Sequence, residues 1–188
     1  MPVLALAGKR ECAMHVPTSL VVCLTLTAIA SAPTTARAKE PGSLWLGGAI
    51  GPSFKVGSRL GGSGGNLSLA GQAEYTLDPK VSVIAGLTLG LAGTVPLQLR
   101  AGGRYRVSIS KMPIRPYGQA ELVVGRLFDV IGANLTVYGL RLGGGADFML
   151  RPQVAVGGLV AYQLARTVSD RPTVFGSFEL FATASMRF

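Results

Sequence analysis

Ten ionisable side chains could act together if the fold brings them into one space: Arg100, Arg104, Arg106, Arg115, Arg141 and Arg187 with Glu74, Glu121, Asp147 and Glu179. Within each stretch their spacing is even: Arg100, Arg104 and Arg106 share one parity, as do Arg115 with Glu121 and Arg141 with Asp147. Even spacing places residues on one face of an extended strand. Guanidinium and carboxylate groups gathered in one confined space allow two chemistries. They can close the space with a hydrogen-bonded ion network, or they can line a path that favours anions. Catalysis is the third candidate, and it lacks an activating base. Ser177, Thr183 and Ser185 have only Glu179 nearby in sequence.

The elements that must position these groups are strands. From the C-terminus, Phe188, Met186, Ala184, Ala182, Leu180, Phe178, Gly176 and Val174 form one apolar face, while Arg187, Ser185, Thr183, Phe181, Glu179 and Ser177 form the other. The same period of two recurs over 66–77, 81–89, 97–109, 115–124, 138–150 and 154–164, with a short first strand over 44–51 whose face is ambiguous. Over 97–107 the alternation is sharpest, with Leu97, Leu99, Ala101, Gly103, Tyr105 and Val107 opposite the three arginines. Ile84 is an apolar exception on a polar face.

In seven of these eight stretches the apolar face carries no charge. An arginine facing hydrocarbon near the bilayer midplane costs a few kcal/mol, so the charged faces must point inward. A soluble barrel would reverse the pattern, with charges outside. No run of about eighteen apolar residues exists for a spanning helix. The expectation is an all-β protein, an eight-stranded antiparallel up-and-down transmembrane β-barrel.

Connections alternate in length. Those at Asp78, Lys111 and Arg151 are short; those over 52–65, 127–136 and 166–172 are longer, and the one over 93–96 is intermediate. Short turns on one side and longer loops on the other match outer-membrane barrels, and put both ends of the barrel domain on the short-turn side. Tyr75, Tyr105, Phe148 and Phe188 fall near the short-turn ends and Tyr138 and Tyr162 near the loop ends, as two interfacial girdles require.

The N-terminus reads as an export signal over 1–38, with Lys9 and Arg10, an apolar stretch over 19–32 and the small-x-small site Ala36-Arg37-Ala38, leaving a barrel domain over 39–188. Cys12, Cys23 and His15, the only cysteines and the only histidine, lie in that signal. Disulfides, thiol nucleophiles, histidine bases and ordinary zinc sites are thereby excluded from the barrel, and no cofactor is expected. The whole chain carries +9. Without Lys9, Arg10, Arg37 and Glu11 it keeps fifteen basic residues against eight acidic ones, distributed singly with no basic run, so nucleic acid is not the expected partner. Gly-rich runs lack the Gly-Lys-Ser/Thr ending of a phosphate loop.

The eight alternating strands, the run Gly143-Gly144-Gly145-Ala146-Asp147-Phe148 and the terminal Ser185-Met186-Arg187-Phe188 resemble the small outer-membrane β-barrel family of OmpX and OmpA-barrel type. The resemblance implies a monomer in the bacterial outer membrane, surrounded by its lipids and lipopolysaccharide. It also implies that Phe188 belongs to the signal read by the barrel-assembly machinery. The acyltransferases and deacylases of similar size rely on a histidine that the barrel domain lacks. The chain shows no peptidoglycan-binding domain after the barrel, and its loops are shorter than those of adhesins. Two functions are then expected to compete: a non-enzymatic structural or surface protein with a filled lumen and no large pore, and an anion-preferring channel for small solutes. Lys55, Arg59, Arg126, Arg166 and Arg171, placed in or beside loops, would be the groups to meet lipopolysaccharide phosphates.

Overall fold

A computed structural model describes residues 41–56, 65–91, 95–107, 113–128, 134–169 and 172–188. The expected signal over 1–38, together with Arg59, Lys111 and Arg171, lies outside the described residues. Eight strands form: β1 (Leu44–Val56), β2 (Gly65–Thr76), β3 (Val81–Gly90), β4 (Val95–Arg106), β5 (Ile114–Phe128), β6 (Asn134–Arg151), β7 (Val154–Val168) and β8 (Val174–Arg187). Each pairs antiparallel with its sequence neighbours, and β8 returns to β1 to close the barrel. Closure leaves no unpaired edge, which a hydrocarbon solvent demands of strands.

Several strands outrun the expected limits at the loop end. β1 continues through Pro52 to Val56, β5 reaches Phe128, β6 starts at Asn134 and β7 reaches Val168, so much of each expected loop is strand. The alternation simply continues there: Ser53 and Lys55 turn inward while Phe54 and Val56 turn outward, and Thr167 is buried beside an exposed Val168. Pro52 is tolerated because the β1–β8 ladder skips Gly51 and Pro52, whereas pairing with β2 runs straight through them. The skip is a close approach, since a Cβ on Gly51 would lie 1.7 Å from the Leu180 carbonyl oxygen. β4, by contrast, ends at Arg106, short of the expected 109.

The faces follow the alternation with one shift. Leu44, Leu46 and Ile50 face outward and Trp45 is buried inside, which settles the ambiguous first strand. Leu150, expected outward, is buried instead, because the β6–β7 register shifts between Met149 and Arg151.

Register fixes the geometry. Following paired residues from Leu46 through Ala73, Ala85, Ala101, Leu122, Leu140, Leu164 and Gly176 returns to β1 at Val56, ten residues further along, so the barrel has a shear of ten. Strands in such barrels tilt by roughly 40°. A level circuit must then step down the strands by ten residues in total. One such circuit is Gly48, Gly71, Ala85, Ala101, Ala120, Gly144, Gly158 and Ala182, one outward position per strand and none larger than alanine. Tyr75, Tyr105 and Phe148 each lie four residues below this ring, and Tyr138 lies six above it. At about 3.3 Å per residue and that tilt, the two aromatic levels are roughly 25 Å apart, the height of an outer-membrane apolar band.

Candidate functional site

The alternation of β2, β4, β5, β6 and β8 turns eight of the ten expected charges into the lumen, all of them buried: Glu74, Arg100, Arg104, Arg106, Glu121, Arg141, Asp147 and Glu179. Side-chain bonds run across the interior as one chain. Arg106 and Arg104 both donate to Glu74, the latter at 2.9 Å; Arg104 also donates from Nε and Nη2 to Gln119 Oε1 at 3.1 and 2.7 Å. Gln119 Nε2 donates to Glu121 Oε2 at 2.9 Å, Glu121 accepts from Arg141, and Arg141 Nε donates to Glu179 Oε2 at 2.8 Å. The chain thus crosses from β2 to β8 through β4, β5 and β6.

Arg100 and Asp147 are side members of the chain. Arg100 Nη1 lies 3.4 Å from Glu121 Oε1, and Asp147 Oδ2 lies 4.0 Å from Arg104 and 3.9 Å from Arg106. Arg106 Nη1 also donates to Ser82 Oγ at 2.6 Å. Four buried cations face four buried anions, so neither sign is left in excess within this group. That balance matters, because an uncompensated buried charge is far costlier than a paired one.

Aromatic rings support the guanidiniums. The Arg104 Cζ is 4.1 Å from the Tyr117 ring centroid, within cation–π range. Tyr117 can lie flat because its cross-strand partner is Gly145, where a Cβ would meet the Tyr117 hydroxyl at 2.6 Å and the Gly158 carbonyl at 2.3 Å. A cavity of about 30 Å³ is bordered by Arg100, Arg104, Arg141, Glu74 and Asp147, enough for roughly one water molecule.

Apolar clusters flank the network, and alternation alone does not reveal them. At the loop end Leu127, Val137, Ala165 and Phe175 pack together across β5 to β8, joined by Leu135. At the short-turn end Trp45 packs with Met149 and Ala155; between these levels Tyr117, Leu159, Phe181 and Ala49 make contact.

The remaining expected residues stand apart. Arg115 and Arg187 are half-buried at the short-turn end, opposite Asp147 and Trp45 respectively. Phe188 is exposed, and its amide donates to the Leu44 carbonyl at 2.9 Å. Tyr75, Tyr105, Tyr138, Phe148 and Tyr162 all point outward and are exposed. Tyr162 sits lower than Tyr138, but its hydroxyl reaches up over Gly176, where a Cβ would lie 2.3 Å from it. Of the cations placed in or beside loops, Lys55 belongs to the inward parity of β1 and is no outward loop group; only Arg126 and Arg166 face outward among the described residues.

No protein-family model and no curated protein matches this chain. Solved structures do. Neisserial surface protein A superposes with a TM-score of 0.60 at 18% identity, covering 78% of this chain and 96% of that one. The N-terminal barrel domain of Pseudomonas aeruginosa OprF gives 0.57 at 10% identity, covering 80% and 100%. A de novo designed transmembrane β-barrel gives 0.51 at 16% identity, covering 81% and 100%. A closed ring of eight antiparallel strands is common ground between these neighbours' architecture and the geometry above: the chain has the fold of the small transmembrane barrels of OmpX and OmpA-barrel type.

Proposed function

We propose that this protein is a non-enzymatic integral barrel of the bacterial outer membrane, with a structural or surface-interaction role and a lumen closed to solutes. The observation that carries the reading is the bonded chain from Arg106 through Glu74, Arg104, Gln119, Glu121 and Arg141 to Glu179, which bridges the lumen from wall to wall. Apolar packing supports the reading, with Leu127, Val137, Ala165 and Phe175 filling the loop end of the lumen above the network. The absence of histidine and cysteine from 39–188 argues against a hydrolase or acyltransferase. Export over the N-terminal signal, insertion by the barrel-assembly machinery through Phe188 and a monomeric state belong to the same reading.

The test is conductance of the purified protein in a planar bilayer. Closed traces at moderate voltage are the expected outcome; steady single-channel steps in the unaltered protein would overturn a closed lumen.

A second reading, anion-preferring passage of small solutes, draws on one observation. Arg100 is the least tightly held cation of the network, its nearest carboxylate contact is 3.4 Å away, and its Nε has no hydrogen-bond partner beside the small cavity. That reading requires steps whose anion selectivity falls in Arg100→Ala or Arg104→Ala.

A further inference from the structure

Apart from Arg151 at the short-turn end of β6, Arg126 and Arg166 are the only charged residues with outward-facing side chains among the described strand positions, and both are exposed. They share a strand as neighbour: Arg126 pairs with Thr136 of β6, and Arg166 pairs with Tyr138 of the same strand. Their rows differ by two residues along β6, and a shear of ten over eight strands requires a level line to drop by about that much across two strands. Arg126, Tyr138 and Arg166 therefore stand side by side at one height. From strand spacing and rise, the two arginine Cα atoms are about 12 Å apart, with the phenol ring between them.

This row lies at the level of the upper aromatic collar, with exposed Phe128 and Val168 above the two arginines. Directly beneath it are Val124, Leu122, Leu140 and Leu164, all exposed on the outward face. Neither arginine has an ion-pair or hydrogen-bond partner among the described residues. At the opposite end, the exposed cations Lys80 and Arg151 lie in or beside short turns, with Asp78 two residues from Lys80.

We infer that Arg126, Tyr138 and Arg166 form a binding site for a bisphosphorylated glycolipid of the outer leaflet, the chemistry of the lipid A part of lipopolysaccharide. Two guanidiniums at one level fit two phosphates, each through paired N–H donors. A sugar placed between the phosphates lies over the Tyr138 ring, and acyl chains continue down the leucine and valine face. A glycerophospholipid supplies one phosphate and no sugar, so it fills half of the row. The inference rests on the reading that this barrel spans a membrane with its longer loops outward.

The experiment uses full-length mature protein in mixed micelles, and measures lipid retained through native mass spectrometry with bisphosphorylated lipid A, monophosphorylated lipid A and phosphatidylglycerol as separate probes. Heat-dependent gel mobility of the same samples reports whether each variant is a folded barrel. The expected result is preference for the bisphosphorylated probe and a drop of about thirtyfold in apparent affinity for Arg126→Gln/Arg166→Gln, since each cation near an anionic interface contributes roughly fivefold. Tyr138→Leu, which keeps the apolar surface, loses several-fold for both lipid A probes and little for phosphatidylglycerol, whereas Lys80→Gln/Arg151→Gln changes none of the three.

Equal retention of all three probes by the unaltered protein, or unchanged retention by the folded double variant, would overturn the site. Loss of the heat-dependent shift in the unaltered protein is a different failure, because it removes the membrane barrel on which the site is built.

Discussion

The middle of the lumen and its loop end fill the same kind of space by opposite means. In the middle, Glu74, Arg104, Gln119, Glu121, Arg141 and Glu179 are joined by directional bonds; at the loop end Leu127, Val137, Ala165 and Phe175 are joined by contact alone. Apolar packing tolerates small displacements, whereas each guanidinium must meet a particular carboxylate, Glu74 for Arg104 and Arg106 and Glu121 for Arg100 and Arg141. A slip of two residues between neighbouring strands would keep every side chain on its proper face, and the outward alternation would not register it. It would, however, break Arg141 from Glu121 and Glu179. The network is thus the part of the interior able to distinguish the shear of ten from its near neighbours, while the apolar end contributes stability with little specificity.

Substitutions can sharpen or break this contrast. The largest effect is expected from Glu121→Ala, which strips the shared acceptor of Arg100 and Arg141; the unfolding free energy, read from urea titration of the barrel in lipid, should fall by about 3–5 kcal/mol. Leu127→Ala removes buried apolar volume without orphaning a charge and should cost about 2–3 kcal/mol, with strand register unchanged in amide cross-peaks. If Glu121→Ala proves the milder of the two, the network is filler and not a register device. Gly145→Ala forces Tyr117 off its neighbour and should cost about 1–2 kcal/mol while loosening Arg104, seen as a changed Tyr117 ring environment. Arg115→Gln, half-buried and outside the bonded chain, should move stability by no more than about 0.5 kcal/mol.

How much of this was legible in the sequence depends on which link a feature needs. Parity needs only the residue itself and its neighbours, so the inward turn of Arg100, Arg104 and Arg106 and the outward turn of Leu97, Leu99 and Tyr105 could be read directly. Partnership needs register, and register is not written in any one strand. Nothing local says that Glu121 meets Arg141 or that the chain of bonds ends on Glu179. The inward apolar residues Val123, Leu127, Val137 and Leu159 stayed hidden for another reason: between two apolar faces, alternation has no contrast to offer. Pro52 misled as a loop marker because a proline is permitted where one ladder of its strand is already interrupted. The pairing of Arg126 with Arg166 as a level row likewise required the shear, which converts residue numbers on separate strands into heights.

That same conversion gives a meaning to the ring of glycine and alanine from Gly48 to Ala182. Leucines, valines and aromatics project above and below it, so the barrel's silhouette is an hourglass with its waist between the two collars. A smooth cylinder could ride up or down in a fluid with little resistance. An hourglass has a seat: raising or lowering it by a few ångströms would wedge broad collars into the region where opposing lipid tails meet and leave slender spaces for them to fill elsewhere. Depth in the bilayer is then set by contour as well as by the aromatic collars, and enlarging the waist, as in Gly144→Leu with Gly158→Leu, would be felt as a loss of vertical footing before any loss of fold.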